Sequence, residues 1–340
     1  MFLVPVLGVR GQVRTGYQGL VWMLCMLAFA LLIGFRYEIG GDWGNYLRHF
    51  DNILYWSFSE VLQRGDPAYY AINWLVANAG WSVVWVNLVC AIFIVIGLNS
   101  FCRNQPLPWL ALLVAVPYLI IVVSMGYSRQ AAALGMVLVG LTALGRNQVI
   151  KFVFYIFLGA LFHKSAVILL PIAALAATRN RIWTFVWIMV VSIVGAYMLV
   201  SEEIDVWWVN YVIDEYAFAS QGATVRVLMN AVPSVLLFVF RKQIFYDNVE
   251  RKLWLWLAFF SLLCILGLSY SATAIDRLSL YFIPIQLFAF SRIPFLAADR
   301  ASFKLIMWSV VIYYGLVMFV WLNFAIHARH WLPYKFSLFY

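Results

Sequence analysis

Long apolar runs broken by short polar interruptions fill most of the chain. A bilayer-spanning helix needs roughly 20 apolar residues, somewhat fewer when flanking side chains snorkel. On that template the pattern predicts about eleven transmembrane helices, at 18–35, 82–101, 107–125, 129–145, 149–162, 165–178, 182–200, 225–240, 253–270, 277–291 and 305–326. The fifth and sixth are short and separated only by His163-Lys164, which reads either as a tight helical hairpin or as one broken pair. Two polar segments are long enough to carry structure outside the bilayer. Within 36–81, residues 66–80 are too short and polar to span and read as a re-entrant or interfacial helix opened by Pro67. In 201–224, Trp207, Trp208, Tyr211 and Tyr216 stand among acidic residues, the pattern of an aromatic-belt helix lying at the interface. The expected fold is an all-α polytopic membrane protein, a single transmembrane domain over 1–340 with interfacial or re-entrant helices in its polar segments.

Composition agrees with that reading and narrows it. Of the 340 residues, 65% are hydrophobic and only 11% charged, and the mean hydropathy is +0.90, outside the soluble globular range. The first apolar run, Leu20 to Phe35, continues into charged residues without a small-residue cleavage site, so it reads as a span and not as a signal peptide. Cys25, Cys90, Cys102 and Cys264 lie far apart in or beside apolar runs, without zinc-ligand spacing, as buried free thiols would. The net charge of +9 would suggest nucleic acid in a soluble domain. Here the basic residues fall between apolar segments, as membrane orientation requires, and no nucleic-acid partner is expected.

With the N-terminus placed in the cytoplasm, 14 Lys and Arg residues fall inside and 9 outside, in keeping with the positive-inside rule. Acidic residues go the other way, eleven outside against Asp247, Glu250 and Asp299 inside, and all four histidines are outside. Short basic inner loops are explained by topology alone. The mixed, His-rich and Asp-rich outer segments are not, so chemistry is expected on the outer face.

The densest polar stretch there is FRYEIGGDWGNYLRHF, residues 35–50, where Gly40 and Gly41 allow a tight turn to place Asp42. Four further polar groups stand at the outer ends of spans: Ser128-Arg129-Gln130, His163-Lys164-Ser165, Arg226, and Asp276-Arg277. Ionisable groups at such positions are functional candidates because charge is expensive inside a bilayer. Arginine suits phosphate or pyrophosphate because its planar fork makes bidentate charge-assisted bonds. Set singly, each of Arg129, Arg226 and Arg277 reads equally well as an interfacial anchor; three at successive outward helix starts, against the positive-inside bias, do not. Asp276 is expected to pair with Arg277 or Arg226. The chain lacks GxxxxGKS/T, GxSxG, HExxH and DxD patterns, which disfavours nucleotide-dependent or metal-dependent chemistry; no cofactor and no metal are expected.

FRYEIGGDWGNY (35–46), SRQAAA (128–133), FHKSAVILLP (162–171), DRLSLYFIP (276–284) and WLPYK (331–335), in that order, resemble the EpsG family of Wzy-like polymerases of bacterial exopolysaccharide, capsule and O-antigen. The resemblance runs over roughly residues 20 to 340, excludes 1–19 and carries nothing onto 201–224. It implies a multi-pass inner-membrane glycosyltransferase with its active site on the periplasmic face. Such an enzyme transfers the growing glycan from undecaprenyl pyrophosphate to the non-reducing end of an incoming lipid-linked repeat unit. Membrane lipids, and a chain-length regulator and flippase of the same pathway, are the further partners it implies. In that picture Arg129 and Arg277, with Arg36 and Arg226, hold the pyrophosphate. Asp42 or His163 takes the acceptor proton, His163 being preferred because an unperturbed imidazole titrates near neutrality. Gly40, Gly41, Gln130, Lys164, Asp276 and Tyr281 form the remaining wall. The competing classes are a glycolipid or polysaccharide transporter, whose sites should lie near the midplane, and a ligase or acyltransferase using a similar outer-face site.

Overall fold

The predicted apolar segments reappear as helices in a computed structural model, which describes residues 17–176, 222–245 and 247–338 together with isolated helical residues between 182 and 193. In chain order the principal helices are α1 (Tyr17–Gly34), α2 (Trp43–Asn52), α3 (Phe58–Gln63), α4 (Pro67–Asn78) and α5 (Val83–Arg103). They are followed by α6 (Pro108–Gly126), α7 (Ser128–Gly145), α8 (Val149–Ala160), α9 (Leu170–Ala176), α10 (Ala223–Val239) and α11 (Arg241–Ile244). Last come α12 (Asn248–Gly267), α13 (Ala272–Ser279), α14 (Pro284–Phe290) and α15 (Arg300–Phe324).

Every predicted span except 182–200 meets a helix; that one falls largely outside the described residues, as does most of 201–224. Among the described residues, α5, α6, α7 and α15 are each long and apolar enough to cross a membrane alone. The α13–α14 region, bent by 43° at its break, supplies a fifth if it is one span. The apolar helices Gln18–Gly34, Val149–Ala160, Lys164–Ala173 and Ala223–Val239 are shorter. By length and apolarity the described residues thus hold four or five candidate crossings, and the expected count of about eleven would need the four shorter helices, α12 and the 182–200 segment to span as well. In the ambiguous 149–178 region, described as far as residue 176, α8 ends at Ala160, the chain turns through His163, and a 3₁₀ segment, Lys164–Leu169, leads into α9.

Packing explains why α6 and α7 sit at the centre. α6 is almost wholly buried, whereas α15 is mostly exposed along its apolar length, as a lipid-facing helix would be. α5 and α7 cross where Gly97 meets Gly135; a Cβ on either would run into the other helix's backbone, so only glycine permits this approach. Polar side chains tie other helices together inside the core. Gln286 on α14 donates to Asn230 on α10 at 2.6 Å, and the Tyr314 hydroxyl on α15 donates to Gln286 at 2.7 Å. In an apolar surrounding such groups must find partners in one another.

One feature had no local sequence signal. The C-terminal segment folds back over the 35–40 loop: Tyr37 N donates to Lys335 O at 3.0 Å, Ser337 N to Phe35 O at 2.8 Å and Gly40 N to His330 O at 2.9 Å. Lys335 pairs with Glu38, whose φ is +52°. Trp331 lies against Gly126 and donates its indole N–H to Ile121 O at 2.9 Å.

Candidate active site

The site is assembled at the end of the bundle where the 36–81 segment meets the starts of α7 and α10, the α8–α9 turn and α13. Gly40 brings in its first wall. Its φ is +100°, and a Cβ there would lie 2.5 Å from Met125 O, so the loop can press onto the end of α6 only with glycine at this position. Gly41 has open space where its Cβ would go, so the second glycine of the pair is not required by packing. Asp42 then precedes α2 without capping it through its side chain. Half-buried, its carboxylate has no hydrogen-bonding or ionic partner among the described residues.

Arg129, in the first turn of α7, is the centre of the arrangement. Its Nη1 lies 3.0 Å from Asp66 Oδ2, and its guanidinium sits 5.6 Å from the ring centre of Tyr69. Its side chain is 34% exposed; Asp66 is the one hydrogen-bonding partner of that guanidinium among the described residues, which leaves most of its five donors without a protein partner there. Asp66 itself is buried, and burial raises its carboxyl above the usual range, with Arg129 opposing the shift. Arg277 stacks over Tyr127, 4.4 Å from the ring centre, while its backbone carbonyl accepts from Gln130 Nε2 at 2.9 Å. The residue after Arg129 therefore fixes the backbone that carries the second arginine.

The two arginines, 148 positions apart in sequence, act on the same neighbours. His163, in the turn after α8, is pushed down to about 3 by burial and then by the positive charges of Arg129 and Arg277. Tyr46, buried on α2, is raised by burial and feels Arg129, Asp42, Arg36 and Arg277. Burial, followed by Arg129 and Arg48, also lowers His49. Arg129 and Arg277 thus both act on His163 and Tyr46, and Asp42 acts on Tyr46. The positive end of the α7 dipole adds to the charge of the arginines.

Several expected site residues have other tasks. Arg36 is wholly buried; its guanidinium donates to Ile33 O at 2.7 Å, Asn87 Oδ1 at 2.9 Å and Ser128 Oγ at 2.5 Å. A ligand cannot reach it, and it serves instead to hold the start of α7. Arg226 is ion-paired with Asp276, its Nη2 donating to Oδ2 at 2.6 Å and its Nε lying 2.5 Å from Oδ1, so its charge is already met by protein. That pair joins α10 to α13 and resolves the expected alternatives for Asp276 in favour of Arg226. Tyr281 is fully buried and shares a 2.8 Å hydrogen bond with Ser165, which in turn lies 3.3 Å from His163 Nδ1. It backs the site and does not line it. Lys164 contributes its backbone N–H, which donates to Asp66 Oδ1 at 3.1 Å. Burial and the charges of Arg129 and Arg277 lower the His163 imidazole, which weighs against the expected preference for it as a base.

Asp66 was not among the residues singled out from sequence. Its place before Pro67 reads simply as a helix start, and nothing local reveals that it reaches across to α7.

Compared with known protein families, the chain matches the EpsG family over residues 19–336. The match spans nearly the whole length. The chain belongs to the EpsG family. EpsG proteins are Wzy-like polymerases, and the five segments that carry the likeness converge in three dimensions. FRYEIGGDWGNY contacts SRQAAA through Arg36 and Ser128, SRQAAA contacts DRLSLYFIP through Gln130 and Arg277, and FHKSAVILLP contacts DRLSLYFIP through Ser165 and Tyr281. WLPYK covers the first of them. No curated relative and no solved structure matches the chain.

Proposed function

We propose that this EpsG-family protein polymerises a polysaccharide at the extracytoplasmic face of the bacterial inner membrane, moving the growing glycan from a polyprenyl pyrophosphate carrier onto an incoming lipid-linked repeat unit. The observation that carries the reading is that Gln130, next to Arg129, hydrogen-bonds the backbone of Arg277 and that both arginines act on His163 and Tyr46, with the Asp42 carboxylate, which has no partner among the described residues, also acting on Tyr46. Anion-binding donors and a free base are what this transfer needs. The acceptor hydroxyl gives its proton to Asp42 as its oxygen attacks the anomeric carbon of the donor. The bond from that carbon to the pyrophosphate oxygen breaks, and the electron pair leaves with the pyrophosphate, where Arg129 and Arg277 stabilise the developing charge. His163, held neutral, acts as a hydrogen-bonding wall. The donor arrives activated, so no nucleotide and no metal ion is required.

Purified protein supplied with lipid-linked repeat units tests this. A ladder of longer glycans, unaffected by EDTA, is expected. A single transfer to another acceptor would instead mean a ligase, and absence of any new bond with movement of lipid between leaflets a transporter.

A further inference from the structure

The geometry points to Asp66 as a positioning residue for Arg129, and to α4 as the element whose task is to present it. This rests on the reading of Arg129 as a pyrophosphate ligand. Asp66 occupies the N-cap position of α4, where an aspartate ordinarily turns back to cap its own helix. It does not: no capping bond forms, and both carboxylate oxygens bond to other elements. Oδ2 takes Arg129 Nη1 at 3.0 Å and Oδ1 takes the backbone N–H of Lys164 at 3.1 Å. One carboxylate therefore fixes the arginine of α7 relative to the His163-Lys164 turn.

Three residues further along α4, Tyr69 offers its ring to the same guanidinium, so the arginine is held at one nitrogen by charge and flanked by an aromatic face. Tyr69 is 1% exposed and Asp66 5% exposed, so both are fixed by packing and neither swings with solvent. A second tie, from Ala68 N to Leu161 O at 2.9 Å, locks the start of α4 to the end of α8. The short helix between the polar loops thus has a reason to exist: it sets which edge of Arg129 remains available to a pyrophosphate.

The test is a double-substitution cycle in the full-length protein, scored by glycan polymerisation and by inhibition with inorganic pyrophosphate. Asp66→Asn keeps shape and removes the charge. It should lower kcat by about tenfold or more, weaken pyrophosphate inhibition and leave KM for the acceptor within about twofold, as expected when the partner of a coupled pair is lost. In an Arg129→Gln background the same substitution should change kcat less than about threefold, because the group it positions is gone. Asp66→Glu, which keeps the charge but displaces the guanidinium, should lose kcat with an unchanged melting temperature, and it carries the test should Asp66→Asn not fold. Near wild-type kcat for Asp66→Glu or Asp66→Asn, or losses that multiply independently of Arg129, would overturn the positioning role. If Arg129→Gln itself polymerises normally, the pyrophosphate reading fails, and the Asp66 inference with it.

Discussion

At the scale of single residues, the proposed chemistry depends on which side chains are free and which are already paired. Asp42 has no partner among the described residues, whereas Asp66 and Asp276 each hold an arginine. Asp42→Asn should therefore reduce turnover by about a hundredfold or more, the usual worth of a general base, while His163→Gln should cost less than about tenfold. Rates on purified protein with lipid-linked substrate decide between them. His163 offers a second check. Its folded pKa of about 3 lies below that of an unfolded histidine, so between roughly pH 6.5 and 3 the unfolded chain binds the extra proton and stability falls as the pH drops. Thermal melts in detergent should show that decline, and His163→Gln should lessen it; an unchanged slope would mean that the imidazole is not buried as described. The candidate residues were legible because ionisable side chains are rare in an apolar chain. Their division of labour was not. Arg36 and Arg129 look alike in sequence, and only burial separates a guanidinium clamped by Asn87 and Ser128 from one with donors to spare.

Among the elements, the spans were legible wherever apolar length alone defines a helix, as in α5, α6 and α15. The 149–178 region was ambiguous because neither half is long enough to declare itself, and the break at His163 becomes intelligible only once Asp66 is seen bonding the next backbone N–H. The C-terminal strap was equally hidden. Its hydrogen bonds join residues about 300 positions apart, and no periodicity within either segment encodes them. It makes a prediction at this scale. Trp331→Ala removes a buried indole packed on Gly126 and should destabilise the protein by about 3 kcal/mol or more. Hydrogen exchange at Tyr37 and Gly40 should accelerate, since their backbone N–H groups donate to the strap. Exchange at those amides unchanged from wild type would show that the loop holds its shape without the strap.

For the whole molecule, charge distribution predicts which end of the bundle faces out. Single cysteines placed at Asp42 and Gly222, in a background lacking the four native cysteines, should react with an impermeant thiol reagent in intact spheroplasts; protection of both would invert the topology. On the proposed function, two helices distant in sequence deliver one anion clamp to that face. Lysine at Arg129 or Arg277 keeps the charge but loses the bidentate fork and the guanidinium that lies over the Tyr69 or Tyr127 ring. The most direct measurement is the length distribution and rate of glycan formed by purified Arg129→Lys and Arg277→Lys proteins from lipid-linked repeat units. Each should fold normally and lose about 2 to 4 kcal/mol of transition-state stabilisation, roughly thirtyfold to a thousandfold in turnover. Ladders of wild-type length formed at wild-type rate by both variants would contradict the clamp and return the two arginines to the role of interfacial anchors.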